Sequence, residues 1–189
     1  VAVSIMIIHH GYERVLKGLG RYYAHGGRRN IVLHMVGEGP ELQNYKKIVE
    51  KEKLSEHVIF HGQKVGRELD AIYDESDIVL TTFGFYKVGV YCMNVLKSRE
   101  ALAKGLPLVN GCTVDIFKDE PCEYSYDFPN DNSVVNIQEI IDFYDRVYEN
   151  RNKEEVIKKI RKIAYEKVDM AVVMQPIIEY IVGDQERSC

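Results

Sequence analysis

The first 111 residues repeat one pattern: a short apolar run, a glycine, and a stretch with the spacing of an amphipathic helix. The runs predict strands at 1–8, 31–36, 58–61, 78–82 and 108–110, and the stretches between them predict helices at 12–24, 40–54, 66–75 and 96–104. Strands separated by helices pair in parallel, because parallel neighbours need a crossover connection. The repeat therefore predicts an α/β fold: a doubly wound parallel sheet, Rossmann-like, with helices on both faces.

Beyond Gly111 the repeat weakens, and the pattern predicts a last strand at 122–128 followed by helices at 135–148, 153–167 and 170–181. Pro176 should kink or split the last helix. That helix is apolar on most of its surface, so we expect this face to stay exposed or to pair with a second copy of the chain. We interpret residues 1–189 as a single Rossmann-like domain whose C-terminal helices occupy 134–182.

The composition excludes several classes of protein. With 46% hydrophobic residues the chain can bury a full core, and a net charge of −4 argues against a general nucleic-acid binder. The four cysteines show no CxxC spacing, which favours a reducing, cytoplasmic compartment. No run is long and apolar enough to span a bilayer.

The stretch MNVLKSREALAKGLPLVNG, residues 93–111, is the most informative part of the chain. Asn94 is a good N-cap, and Gly105 followed by Pro107 ends a helix as a C-cap glycine and a trailing proline do. The helix start follows a long loop and could receive an anion on its free N–H groups. Glu100 lies nearly two turns further on, where it could reach a ribose hydroxyl.

A plainer interpretation of the same helix stays open. Glu100 could pair with Lys104 one turn later, and Lys97 and Arg99 could be solvated surface residues.

The carboxyl ends of the predicted strands are rich in glycine. In doubly wound sheets ligands lie outside these ends, near the switch in strand order, and glycine lets a ligand approach the backbone closely. Glycine is also the ordinary residue for turning a chain at such a place. The residues that the strand ends supply to this predicted nucleotide cleft include His10, Gly11, Gly37, Gly39 and Gly62.

The order of these motifs resembles the C-terminal half of GT-B glycosyltransferases of the large retaining family four. The segments IVLHMVGEGPE, VIFHGQK, ELDAIYDESDIVL and SREALAKGLPLV carry the resemblance over roughly residues 3–109. It implies a nucleotide-sugar donor, with backbone near Gly62 facing the base and Glu100 holding the ribose hydroxyls. The helix start that would hold the diphosphate consists of Asn94, Val95, Leu96, Lys97 and Ser98. The resemblance also implies an N-terminal acceptor domain of the same protein, which this chain lacks, and no metal cofactor.

Two departures from the family pattern concern charge. Where the family has a second glutamate, this chain has Cys92, and no acidic residue occurs between Asp77 and Glu100. Where the family has a lysine at the first strand end, this chain has His10. Such a chain resembles a subgroup associated with bacterial polysaccharide biosynthesis. The candidates to supply the missing positive charge at the diphosphate are Lys97, Arg14 and Lys87.

The sequence thus predicts the donor-binding half of a glycosyltransferase that moves a hexose-type sugar to a glycan or lipid-linked acceptor. We expect this half to be inactive alone, with no nucleic-acid partner. We expect the whole protein in the cytoplasm, with peripheral association at the inner face of the membrane as one option.

The sequence leaves one alternative function open. It is a non-catalytic module that binds a nucleotide or sugar phosphate, since the family's glutamate at the position of Cys92 is missing. A dinucleotide oxidoreductase is disfavoured because Leu42 stands where the GxGxxG run would need its last glycine. A receiver domain would need acids where His9 and His10 stand. The histidines lack metal-ligand spacing, so they are read as core residues, with no metal site.

Overall fold

The computed structural model describes residues 1–186, so Cys189 and the last residues of the predicted domain lie outside the described part. Ten helical segments lie within these described residues. The α-helices are α1 (Glu13–Ala24), α2 (Leu42–Lys51), α3 (Gly66–Glu75), α4 (Leu96–Lys104), α5 (Ile137–Tyr148), α6 (Lys153–Lys167) and α7 (Met170–Glu186). Three 3-10 turns span Ile8–His10, Phe85–Val88 and Asp115–Phe117.

Eight strands lie in the described residues, and six of them form one parallel sheet with a switch in strand order. The strands are β1 (Ala2–Val3), β2 (Leu33–Val36), β3 (Val58–Gly62), β4 (Val79–Leu80), β5 (Cys92–Met93), β6 (Leu108–Asn110), β7 (Thr113–Val114) and β8 (Ser125–Asp127). One sheet has the order β1-β2-β3 and another β4-β6-β8, and all pairings are parallel. The Leu80 N–H donates to the Val1 carbonyl at 2.8 Å, which joins the two into the order β3-β2-β1-β4-β6-β8. The α/β doubly wound fold is confirmed, and its switch point lies between β1 and β4.

The first predicted strand, at 1–8, is correct only at its beginning. After Val3 the chain stays extended and pairs with the loop after β2: Ser4 N–H donates to the Val36 carbonyl at 3.0 Å, and Met6 N–H to the Glu38 carbonyl at 2.8 Å. It then turns into the 3-10 segment Ile8–His10. The 3-10 turn lies at the carboxyl end of β1, beside the switch point.

The predicted N-cap of α4 is wrong by one residue, and the predicted start of α2 is wrong by two. Asn94 is exposed and is not the N-cap of α4, because the β5 pairing with β7 keeps the chain extended through Val95, which takes the cap position. Pro40 lies in a turn before α2, where the Glu41 N–H donates to the Met6 carbonyl at 2.9 Å, and the helix begins at Leu42. The body of α4 has the predicted bounds.

The C-terminal helices fill the predicted region, and α7 corrects one prediction. It continues past Pro176 without a break. The proline removes one intrahelical bond, but its partner carbonyl belongs to Val172, which is 42% exposed and open to water. Most apolar side chains of α7 are exposed in the single chain, among them Val173, Ile177 and Ile181.

Candidate functional site

The N-terminus of α4 opens at the carboxyl edge of the sheet, because α4 is the crossover between β4 and β6. Its N-cap, Val95, offers no side-chain acceptor, and the first turn holds no acidic residue. Within the described residues, the N–H groups of Leu96 and Lys97 have no hydrogen-bond partner. An uncapped helix start of this kind carries partial positive charge and free donors, which suits an anion.

Lys97 adds an amine to this helix start. Its Nζ is buried and has no hydrogen-bond partner in the described part of the chain. Burial lowers the pKa of Lys97 to about 7. Its charge is one of the causes that lower the pKa of His10 at the end of β1, so the two side chains lie near one another. The structure therefore brings together two of the predicted residues, one from each side of the switch point.

His10 itself is buried and neutral. Burial is the main cause that lowers its pKa to about 3, with Lys97 and then His9 as further causes. Its ring stacks on Tyr12, with centroids 5.8 Å apart. It cannot replace the lysine cation of the family pattern at neutral pH.

The other side chains at the α4 start either form hydrogen bonds within the protein or are exposed to solvent. The Ser98 hydroxyl is buried and donates to the Val95 carbonyl at 2.7 Å, so it closes the first turn. Leu96 is 80% exposed and offers its backbone N–H. Arg99 is not simply solvated, because its Nη2 donates to Asp115 Oδ2 at 2.5 Å.

Glu100 has no hydrogen bond or ion pair among the described residues, and it is partly exposed. Its expected alternative partner, Lys104, pairs instead with Asp70, at 2.5 Å. The i,i+4 interpretation is therefore wrong. Burial and then the Glu100 charge raise the pKa of Tyr73, whose buried hydroxyl has no partner in the described chain. The sequence did not predict that Tyr73 lies near Glu100, because a tyrosine on the apolar face of a helix looks like any core residue.

The glycines at the strand ends divide into two groups. A Cβ on Gly37 would lie 1.9 Å from the Ser4 carbonyl oxygen, and one on Gly39 would lie 2.4 Å from that of Met6. These two glycines are required by the packing of two backbone segments. Gly62 differs, because it has φ +65° and the nearest atom to its Cβ position is Glu38 Oε1 at 3.6 Å. The space beside Gly62 is open to a ligand.

Gly11 lies where the chain after β1 meets the chain after β4. It has φ +64°, and a Cβ there would lie 2.4 Å from the Gly84 nitrogen. The adjoining Phe83 N–H donates to the His10 carbonyl at 2.7 Å. The ends of β1 and β4 are thus tied together by backbone, without room for a side chain at Gly11.

Arg14 is turned inwards, away from a ligand. Its guanidinium is buried, and each nitrogen donates to the protein: Nε to the Ser133 carbonyl at 2.6 Å, Nη1 to Phe83 at 2.8 Å and Nη2 to Pro129 at 2.9 Å. The pKa of Arg14 is lowered, mainly by burial. This geometry makes Arg14 a clamp between α1, the end of β4 and the 129–133 loop.

Lys87 is also engaged. Its Nζ forms an ion pair with Glu13 and donates to the Ile8 carbonyl at 3.1 Å. Its contacts hold the long loop before β5 against the Ile8–His10 turn. Of the three candidate cations, Lys97 alone has no partner within the described residues.

The histidines do not form a metal centre in the described part of the chain, where no three His, Cys, Asp or Glu side chains are grouped for a metal. His34 Nδ1 and His61 Nε2 lie 2.9 Å apart on neighbouring strands, as a hydrogen-bonded pair. Cys92, Cys112 and Cys122 are free thiols. No helix among the described residues combines the length and apolar character needed to cross a bilayer.

A family model described as glycosyl transferases group 1 matches residues 5–162. The chain belongs to this family. In this group 1 glycosyl transferase, the uncapped α4 start and the unpaired Glu100 both lie within the residues that match the family model. No curated protein sequence matches the chain.

Solved structures show the same fold. Anabaena HepE in complex with UDP superimposes with a TM-score of 0.69 at 16% identity, covering 96% of this chain and 48% of HepE. The pneumococcal O-GlcNAc transferase GtfA, in complex with UDP and GlcNAc, gives 0.64 at 16% identity, covering 96% and 35%. The catalytic domain of the cholesterol-alpha-glucosyltransferase from Helicobacter pylori gives 0.57 at 15% identity, covering 87% and 96%. This group 1 glycosyl transferase chain thus spans about half the length of HepE.

Proposed function

We propose that this chain is the donor-binding half of a glycosyltransferase, which holds a nucleotide-sugar for transfer of a hexose-type sugar to a glycan or lipid-linked acceptor. The observation that carries the proposal is the start of α4 at the carboxyl edge of the sheet, where two backbone N–H groups and the Lys97 amine have no partner among the described residues. This is where a doubly wound sheet binds its ligand. A diphosphate matches the donors and the charge of this position.

The position of the diphosphate suggests where the ribose and the base of the donor would lie. Glu100 lies one turn behind the helix start with a free carboxylate, which suits a ribose diol as hydrogen-bond donor. The open side of Gly62 offers backbone for a base. HepE and GtfA were crystallised with UDP, which supports uracil as the first base to test.

The sugar would face a second domain. The chain spans about half of HepE, and transfer requires donor and acceptor to be held together with water excluded. We propose that an N-terminal domain of the same protein supplies the acceptor site, in polysaccharide biosynthesis in the cytoplasm. We also propose that the donor is bound without a metal, because the α4 dipole and Lys97 supply positive charge where the leaving diphosphate develops negative charge.

One observation favours a second candidate, a module that binds nucleotide-sugars without transferring them. In the register of the missing acid the chain has Cys92, which is exposed on β5. A thiol cannot replace a carboxylate in holding sugar hydroxyls. If the complete protein binds a nucleotide-sugar and leaves it intact with every acceptor offered, the binding-module function is correct.

The first experiment is a calorimetric screen of UDP, GDP, ADP and CMP against this chain, repeated with Glu100→Gln. Glutamine keeps the size but loses the charge, so the affinity for the best nucleoside diphosphate should fall roughly tenfold to a hundredfold. Glu50→Gln on the exposed face of α2 is the matched control and should bind like the wild type. Unchanged affinity in a folded Glu100→Gln variant would show that Glu100 does not hold the ribose.

A further inference from the structure

We propose that the Lys97 amine is uncharged in the empty site and takes up a proton when the donor diphosphate binds beside it. This inference rests on the proposed function: the Lys97 amine is neutral when the site is empty and protonated when the diphosphate is bound. The surroundings of the Lys97 Nζ atom support it.

An ammonium needs hydrogen-bond acceptors, and the structure offers none. Lys97 Nζ is removed from solvent and has no acceptor in the described part of the chain. Burying an unpaired ammonium costs several kcal/mol, and a lysine in this position avoids the cost by losing its proton. The lowered pKa of Lys97, about 7, agrees with this geometry.

The charged groups around Lys97 do not offset its burial. On α4, Arg99 is paired with Asp115, and Glu100 makes no ion pair with the amine. From the end of β1 the neighbour is His10, which is itself neutral and offers no negative charge. The titratable side chains that other helices bring to α4 lie near other residues of it: Tyr73 of α3 is near Glu100, and Arg161 and Tyr165 of α6 line a surface pocket with Arg99 and Glu100. Arg161 donates to the carbonyls of Ala103 and Lys104, at the far end of α4.

A diphosphate at the α4 start reverses this balance. It brings two negative charges and acceptor oxygens close to the buried amine, and both favour its protonated form. The pKa of Lys97 then rises above its value in the empty site, and one proton enters from solvent with the ligand. Because the empty site carries no lysine charge above about pH 7, donor affinity should decline as the pH rises.

The test is calorimetry with UDP-glucose, whose two phosphates have no proton to lose between about pH 6 and pH 9. Titrations in phosphate and in Tris separate the heat of buffer ionisation and count the protons taken up. We expect close to one proton at pH 8 and little uptake at pH 6. The association constant should fall about tenfold between pH 8 and pH 9.

Three variants locate the proton. Lys97→Arg keeps a permanent charge, so its binding should show no uptake at pH 8 and no decline to pH 9. Lys97→Met should bind UDP-glucose at least tenfold more weakly at pH 7, again without uptake. Lys47→Met, an exposed lysine on α2, should reproduce the wild type.

Each contrary result is distinct. Binding by the wild type without proton uptake at pH 8 would overturn the inference and leave the proposed function in place. Uptake that persists in Lys97→Arg would assign the proton to another group, with His10 as the first to examine, and would also overturn it. Failure of UDP-glucose and of all four nucleotides to bind would refute the proposed function, and the inference with it.

Discussion

Replacing Arg14 tests whether this residue holds the fold or the ligand. The guanidinium is only 2% exposed, and it donates to the carbonyl oxygens of Phe83, Pro129 and Ser133 at 2.6–2.9 Å. Arg14→Ala would leave these oxygens without their donors. A buried polar group without its partner costs about 1–3 kcal/mol. The full cost applies to the Phe83 carbonyl only, because Pro129 and Ser133 are exposed and water can replace Arg14 there.

We therefore expect Arg14→Ala to lower the free energy of unfolding by about 2–4 kcal/mol, a large share of the stability of an ordinary domain. Arg14→Lys should recover part of the loss, since an ammonium can donate to one or two of the carbonyls but cannot reach all three. Arg21→Ala is the matched control on the same helix, and the change there should stay within about 0.5 kcal/mol because the side chain is exposed.

The assay is urea unfolding followed by circular dichroism, with nucleotide binding measured on folded protein below the transition. A change of less than about 1 kcal/mol in Arg14→Ala would refute the clamp, because that is the cost of a single hydrogen bond. A variant that kept its stability and lost affinity for UDP but not for uridine would restore Arg14 as a diphosphate ligand.

Three further predictions concern pH, metal and activity. Lys97 has a pKa of about 7 when folded and an ordinary lysine pKa when unfolded, so the unfolded chain binds more protons between these values and stability should rise with pH. In urea unfolding, the wild type should gain up to about 1.4 kcal/mol per pH unit over Lys97→Met from pH 7.5 to 9; a constant difference would contradict a buried neutral amine. Binding of UDP should be the same in EDTA as in Mg²⁺ or Mn²⁺, and a requirement for either metal would contradict the metal-free site. Finally, this chain should transfer no radiolabelled sugar from a nucleotide-sugar panel that the complete protein uses, and turnover by the chain alone would overturn the half-enzyme proposal.

The parts of the fold that the sequence predicts are those decided by neighbours along the chain. The helix α4 ends at Gly105, as expected, because that residue takes φ +84° and its Cβ position would meet Ile157 of α6. The parallel, doubly wound arrangement follows from alternating strands and helices with right-handed crossovers, whereas the short strands β5 and β7 were not predicted. The Asn94 prediction was wrong for a non-local reason, since the pairing of Cys92 and Met93 with β7 sets the helix start one residue later.

The candidate site was predictable in outline only. The helix start and Glu100 could be identified from local signals, but the directions of the cations could not. Arg14 and Lys87 contact residues 69 to 119 positions away, and these partners decide that their charges are used within the protein. Lys97 could be distinguished from them only when its burial and the lack of an acceptor in the described structure were visible.

We propose that the α4 start binds the diphosphate of a nucleotide donor, and titration calorimetry of UDP and of uridine, on the wild type and on Lys97→Met at pH 7, tests this. UDP should bind more tightly than uridine. Lys97→Met should remove most of this difference while uridine binds as before. Equal loss of UDP and uridine binding would contradict it, because Lys97 would then act on the fold of the site and not on the phosphate.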